Sequence, residues 1–243
     1  MFDKLTSQLR QLKLHGMANA FERQNEQPST YDDLSFTERF QLLIDSEATE
    51  RDGRKQDRLI KAAKFKISAN AADIDYQHPR ALKRELVAEL LQCGWLTKAQ
   101  NLLLTGPCGS GKTYIACALG HEACMKGKSV KYYRLSRLML ALSQAKADGT
   151  YSKLLVQLAK LDCLILDDWG LEPLEAPQRN DLMEIMDDRH GSGSTMILSQ
   201  LPTDKWHQSI GDNTLADAIL DRVMHNAHRI KLNGDSMRKA SKI

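Results

Sequence analysis

Gly106, Pro107, Cys108, Gly109, Ser110, Gly111, Lys112 and Thr113 stand in the order G-x-x-x-x-G-K-[ST]. That spacing is the one a phosphate-binding loop requires. Glycine lets the backbone curl until its N–H groups face inward at phosphate oxygens. Lys112 is then placed for the β- and γ-phosphates of ATP, and the Thr113 hydroxyl for a Mg²⁺ ion. Tyr114 follows in a helix-forming segment whose positive end adds to the attraction for phosphate. The apolar run Leu102, Leu103, Leu104 before the loop reads as a buried strand. The motif therefore sits between the strand and the helix it needs.

A second apolar run, Leu164, Ile165 and Leu166, ends in Asp167 and Asp168. At the carboxyl end of a central strand, Asp167 is placed to orient water on Mg²⁺ and Asp168 to polarise the attacking water. Neighbouring strand residues point to opposite faces, so the twist at the strand's end is expected to bring both near the site. A third run, residues 195–198, leads into Ser199 and Gln200. Either side chain stands where the γ-phosphate can be sensed; the plain alternative is a loop residue satisfying backbone groups. Arg222 lies on a late helical stretch. A planar guanidinium suits developing phosphoryl charge, which makes Arg222 a candidate arginine finger for a neighbouring subunit's nucleotide. The alternative is an ion pair with Asp217 or Asp221.

The net charge of +3 says little about a partner, but its distribution says more. Arg51, Arg54, Lys55, Arg58, Lys61, Lys64 and Lys66 face only Asp52 and Asp57 in their stretch, and Arg222, Arg229, Lys231, Arg238, Lys239 and Lys242 face only Asp235. Both stretches suit DNA phosphates; a solvated helix face and a basic tail are the alternatives. No apolar run approaches the ~18 residues of a membrane span, and residues 1–5 lack a signal-peptide layout. A cytoplasmic location is expected. The five cysteines include no C-x-x-C pair and are odd in number, so reduced thiols are expected in place of a zinc site or a disulfide framework.

These residues need a scaffold, and the pattern between them supplies one. Residues 2–25 read as an amphipathic helix, with Leu5, Leu9, Leu12, Met17, Ala20 and Phe21 near one stripe. Ser35 and Glu38 form a capping box that opens a second helix, continuing to about residue 66. Residues 1–69 thus form a small helical domain, and polar residues 70–79 mark a boundary. In 70–243, helices are expected over 80–93, 113–126, 136–147, 151–160, 177–189 and 215–226, with Ser136 as a cap. Strands are expected over 101–105, 129–135, 163–167, 195–199 and 229–232. Near-unbroken apolar strands alternating with helices mean a parallel sheet covered on both faces, with ligands at the carboxyl ends of the strands.

Taken together, residues 106–113, 164–170, 199–202, 221–222, 225–230 and 234–238 resemble the IstB-like transposition helper ATPases, a branch of the AAA+ proteins close to the DnaC-type helicase loaders. Residues 14–17, 31–34 and 40–43 look like the transposition helper more than the loader. The resemblance implies a P-loop AAA+ domain of α/β class behind an all-α N-terminal domain. It also implies ATP-dependent homo-oligomers on double-stranded DNA, nucleotide at subunit interfaces, and delivery of that DNA to a cognate transposase. It favours Arg222 as the finger and gives Arg238 a phosphate or DNA role. Two departures bear on turnover: Asp168 stands where Glu is usual, and Ser199-Gln200 where Asn is common. Both imply slow hydrolysis. A helicase loader, and an ATP-binding assembly switch with little turnover, are the competing functions.

Overall fold

Every residue of β1 (Asn101–Thr105) is buried, as the three leucines at its centre require. In the computed structural model, residues 2–237 are described; Arg238, Lys239 and Lys242 lie outside the described residues. The chain divides into two units, Met1–Arg58 and Leu59–Ile243. This division precedes the 69/70 boundary expected from composition. Ala69 and Ile74 are buried in the core of the second unit, and Phe65 packs against it.

The first unit holds α1 (Phe2–Gln11), α2 (His15–Glu26) and most of α3 (Phe36–Ala63). The single helix expected over 2–25 is thus two. Lys13 adopts φ 62°, the Lys13 N–H donates to Arg10 C=O, and the Leu14 N–H donates to Leu9 C=O. This is a Schellman stop made without glycine. The glycine two residues on has another task. A Cβ at Gly16 would lie 2.5 Å from the Ser46 carbonyl oxygen, so α2 and α3 meet backbone to backbone. No side chain of the Leu14 cap serves α2; instead Glu47, from α3, accepts the Gly16 N–H at 2.8 Å. An anion there also complements the helix dipole. The Ser35–Glu38 capping box forms as expected, with Ser35 N–H donating to Glu38 at 2.8 Å and Glu38 N–H to Ser35 at 3.4 Å.

In the second unit α4 (Arg84–Leu91) and α5 (Gly94–Thr97) precede β1, and α6 (Lys112–Met125) follows it. Then come β2 (Val130–Arg134), α7 (Leu135–Ala147), α8 (Tyr151–Ala159), β3 (Cys163–Trp169), α9 (Ala176–Arg189), β4 (Ser194–Ser199), α10 (Trp206–Ile210), α11 (Asn213–Met224) and β5 (Ala227–Lys231). The strands form one parallel sheet in the order β2-β3-β4-β1-β5. Period-two alternation sorts their side chains. Leu102, Leu104, Ile165, Met196 and Leu198 pack with α4, α5 and α6, whereas Leu103, Leu164, Leu166 and Ile197 pack with α7 to α11. Each fully buried leucine contributes roughly 1.5–3 kcal/mol.

Some helix starts differ from expectation for identifiable reasons. Ala81 at φ 59° keeps residues 80–83 out of α4. α7 begins at Leu135, so Ser136 lies inside its first turn and caps nothing. α11 begins at Asn213 because the Asp212 carboxylate accepts the Leu215 N–H at 2.9 Å. At its other end, Asn101 Nδ2 donates to the carbonyls of Arg222 and Val223 at 3.1 and 3.0 Å. The C-terminus of α11 is thereby fixed beside the start of β1, at the sheet's amino edge.

Candidate nucleotide site

The carboxyl ends of β1, β3 and β4 open on a cleft of about 380 Å³, a volume in the range of small-molecule sites. It is lined by Gly109, Gly111, Lys112, Thr113 and Tyr114 from the loop and α6, by Asp167 and Asp168 from β3, and by Gln200 after β4. Lys66, Asp75 and Arg80 complete it from segments outside the phosphate-loop and acidic motifs, and Met237 from the 234–238 stretch. Gly111 at φ 90° caps α6 from the left-handed region that favours glycine. Gly106 must be glycine for room: a Cβ there would lie 2.5 Å from the Leu232 carbonyl oxygen.

Lys112 is nearly buried, and its Nζ donates to the carbonyls of Gly106 and Pro107 at 2.7 and 2.8 Å. The ammonium therefore already points back over the loop. Ser110 Oγ, within the loop, is buried without a hydrogen-bond partner among the described residues. Cys108 is exposed at the cleft mouth. The Tyr114 hydroxyl lies 3.3 Å from Asn70 C=O and so fixes the segment before α4 to α6.

Asp167 is almost fully buried, and its carboxylate collects donors. Thr113 Oγ1 donates to Oδ2 at 2.9 Å and the Tyr132 hydroxyl donates to the same oxygen at 2.6 Å. Lys66 Nζ lies 3.7 Å from it. Burial, and then the Asp167 carboxylate beside it, push the Tyr132 phenol far above its ordinary pKa, so Tyr132 stays a neutral donor. Two hard oxygen ligands, Thr113 Oγ1 and Asp167, converge here beside a lysine and an unpartnered hydroxyl. That donor set fits Mg²⁺ with a polyphosphate. Asp168 reaches the cleft through a β-bulge: β3 pairs Leu166 with Ile197 and then Trp169 with Ser199, and Asp168 takes φ 62°. Arg134 Nε lies 3.5 Å from its carboxylate.

Ser199 and Gln200 are now distinguishable. Ser199 Oγ is buried, donates to Trp169 C=O at 2.7 Å and accepts the Leu201 N–H at 3.0 Å. Its hydroxyl serves the backbone, which was the plain alternative, and Gln200 is the one that lines the cleft. Arg222 pairs with neither Asp217 nor Asp221. Its Nε donates to Asp187 of α9 at 2.6 Å and its Nη1 to Ala218 C=O at 3.0 Å. It borders a different hollow, with Lys98, Asn101 and Arg189, at the amino edge of the sheet.

The basic stretch divides. Arg51 Nε and Arg54 Nη2 lie 2.6 and 3.6 Å from Glu47, so those two are partly neutralised. Lys55 and Arg58 are exposed on α3. Lys61 is exposed on the turn of α3 that belongs to the second unit, and Lys64 is exposed just past the helix end. Lys66, the last of the stretch, belongs to the cleft. Tyr132, Lys66 and Arg80 were the residues that motif reading missed. Each reaches the site from a segment distant in sequence.

The sequence pattern of one family, the IstB-like ATP-binding proteins, matches residues 7–243. Among similar proteins, one of Sinorhizobium fredii, named as the insertion sequence ATP-binding protein y4pL, is 45% identical over 98% of this chain and 95% of its own length. One of Pseudomonas fluorescens, named as the ATP-binding protein of insertion sequence IS1162, is 50% identical over 81% of this chain and 85% of its own. Among solved structures, DnaI aligns with a TM-score of 0.59 at 18% identity, covering 75% of this chain and 98% of that one. DnaA of Aquifex aeolicus, solved with AMPPCP, aligns with a TM-score of 0.60 at 19% identity, covering 72% of this chain and 53% of that one. At such identities the likeness is one of fold. No helix among the described residues is long and apolar enough to cross a membrane.

Proposed function

The chain belongs to the IstB-like ATP-binding protein family, and on that premise we propose that it is the ATP-hydrolysing helper of a transposition system. In this reading it is cytoplasmic, assembles on double-stranded DNA when ATP is bound, and delivers that DNA to a partner transposase. The observation that carries the reading is the position of Arg222. It is tied to the start of β1, while the phosphate loop leaves the other end of the same strand. Four residue steps of strand put about 13 Å between those ends. Arg222 is thus remote from its own Lys112, and by giving up its exposed pair with Asp187 it would serve a neighbour's nucleotide, in a head-to-tail contact that builds rings or open helices.

Within one site the geometry supports the following roles. Lys112 releases two carbonyls to meet the β- and γ-phosphates. Thr113 and Asp167 would hold Mg²⁺, which when bound would supply charge neutralisation at the phosphates. Asp168 orients the attacking water, and Gln200 faces the γ-phosphate from the end of β4. Lys55, Arg58, Lys61 and Lys64 supply phosphate contacts that do not read base sequence. The competing reading is a helicase loader on the same core, since a solved DnaC helicase loader shares this fold at 20% identity.

The test is sedimentation or electron microscopy of the full chain with duplex DNA, with and without ATP. Large complexes that need both are expected, and Lys112→Ala should not form them. A protein that stays monomeric on DNA at saturating ATP would refute the assembly. A pull-down that captures a replicative helicase and no transposase would replace the reading with the loader.

A further inference from the structure

Arg80 belongs to no phosphate-binding or acidic motif, yet it is only 2% exposed and stands directly against the loop. Its Nη1 donates to Ser110 C=O at 2.9 Å and lies 2.8 Å from Met237 Sδ. Nη2 donates to Asp75 C=O at 2.6 Å, and Nε is buried without a partner among the described residues. All the oxygen acceptors are neutral carbonyls. No carboxylate comes within the 4.0 Å of an ion pair with it among the described residues. A buried guanidinium without a counter-ion is costly. Burial pulls its pKa down, with the Asp75 carboxylate acting against that from a greater distance.

The contact with Ser110 also has a geometric consequence. The peptide is trans, so the Ser110 C=O and the Gly111 N–H point in opposite directions. Drawing the carbonyl to Arg80 turns the Gly111 N–H away from Arg80, and a phosphate loop works only with its N–H groups turned to the ligand. The approach depends on Gly111, where a Cβ would run into Arg80 Nη1. The segment after β5 clamps the arrangement: Asn233 N–H donates to Arg80 C=O and Met237 N–H to Gly109 C=O, both at 3.0 Å.

We propose that Arg80 is a nucleotide-positioning residue, which sets the Ser110–Gly111 peptide for phosphate and supplies a buried positive charge that the bound polyphosphate balances. The proposal rests on reading the loop as the ATP site. It separates Arg80 from a structural arginine such as Arg189, whose Nε, Nη1 and Nη2 all have acceptors.

The experiment uses the full chain with Arg80→Met and Arg80→Lys. Affinity is measured with a fluorescent, non-hydrolysable ATP analogue, and thermal midpoints are taken without nucleotide. Arg80→Met should weaken binding about tenfold to a hundredfold, the value of a hydrogen bond to a charged group. Arg80→Lys keeps the charge but loses the fork across two carbonyls, and should weaken binding less. The nucleotide-free midpoint of Arg80→Met should equal or exceed that of the wild type, because an unbalanced buried charge is gone. Affinity of folded Arg80→Met within about twofold of wild type would overturn the proposal. So would lowered midpoints in both variants with normal binding by the folded fraction, since Arg80 would then be structural. If Arg80→Met does not fold, Arg80→Lys decides: a loss of about threefold or more supports the proposal and unchanged affinity overturns it. A wild-type chain that does not bind the analogue would instead refute the ATP site itself.

Discussion

Replacing Arg222 by alanine separates a fold contribution from a trans contribution by their sizes. The Arg222 and Asp187 side chains are 27% and 60% exposed, and surface pairs of this kind contribute about 0.2–1 kcal/mol. Arg222→Ala should therefore lower the thermal midpoint by no more than about 2–4 °C in a chain of this length. Nucleotide affinity of the isolated subunit should not change, because the residue lies at the other end of β1. An arginine supplied in trans to a developing phosphoryl charge is worth roughly 10³–10⁵ in rate. Phosphate release on DNA should accordingly fall by about three orders of magnitude or more, and assembly should fall with it. Arg222→Ala mixed with Asp168→Asn gives the sharper assay, since each variant lacks a different half of the shared site. Interfaces that pair the two intact halves should recover turnover. Mixtures that co-assemble yet stay inactive, or Arg222→Ala turning over normally alone, would refute the trans arrangement.

Tyr132→Phe removes one of three donors crowded on Asp167 Oδ2. Since Thr113 and Lys66 remain, the cost should sit at the low end for a charged hydrogen bond, about 1.5 kcal/mol, read as a shifted urea midpoint by tryptophan fluorescence; an unshifted midpoint would mean that the phenol contributes nothing net. Glu47 should make the first unit acid-sensitive. Burial works to raise its pKa, but the Arg51 hydrogen bond and the Met17 and Gly16 N–H groups outweigh it and hold the carboxyl below its ordinary 4.5. Its stabilisation is complete above that value and is lost as pH falls through the depressed folded value. Glu47→Gln should therefore speed amide exchange in α2 at neutral pH and flatten its acid dependence; an unchanged profile would refute this. Reversing Lys55 and Arg58 to glutamate should weaken binding to all duplex sequences alike and reduce the log–log salt slope by about 0.9 for each phosphate no longer neutralised. A defect confined to one DNA sequence would count against phosphate binding.

The legible parts of the molecule were those whose signal is local. The loop between an apolar strand and a helix, the acids near the end of β3, and the parallel sheet all follow from short-range spacing. The break between α1 and α2 was not legible, because a lysine adopts the left-handed turn that usually marks glycine. Gly16 was the available sign, but its task is a close approach to α3, which only the fold reveals. Ser199 and Gln200 were equivalent in sequence. The structure separates them by giving Ser199 two backbone partners, Trp169 C=O at the end of β3 and Leu201 N–H in the turn after β4. Lys66 and Arg80 reach the cleft, and Tyr132 reaches Asp167, from three separate segments, and nothing in their own neighbourhoods announces it.

Asp167 and Asp168 depend on a backbone device more than on strand-end twist. On a regular strand they would face opposite sides of the sheet. Between Leu166 and Trp169, however, β3 carries one residue more than β4 does between Ile197 and Ser199, and such a bulge re-aims a side chain. The left-handed conformation falls on Asp168, and aspartate enters that region more readily than most residues because its short side chain bonds locally. Here the Asp168 N–H donates to Asp167 Oδ1 at 2.9 Å, so the turn that exposes the second acid also orients the first. A longer glutamate is a poorer occupant of this conformation, and strain of this kind costs on the order of 1–3 kcal/mol where it is not accommodated. The shorter acid is therefore matched to its backbone, with Arg134 at 3.5 Å as the cation beside it. Both carboxylates reach one cleft, Asp167 buried among donors and Asp168 open enough to meet water.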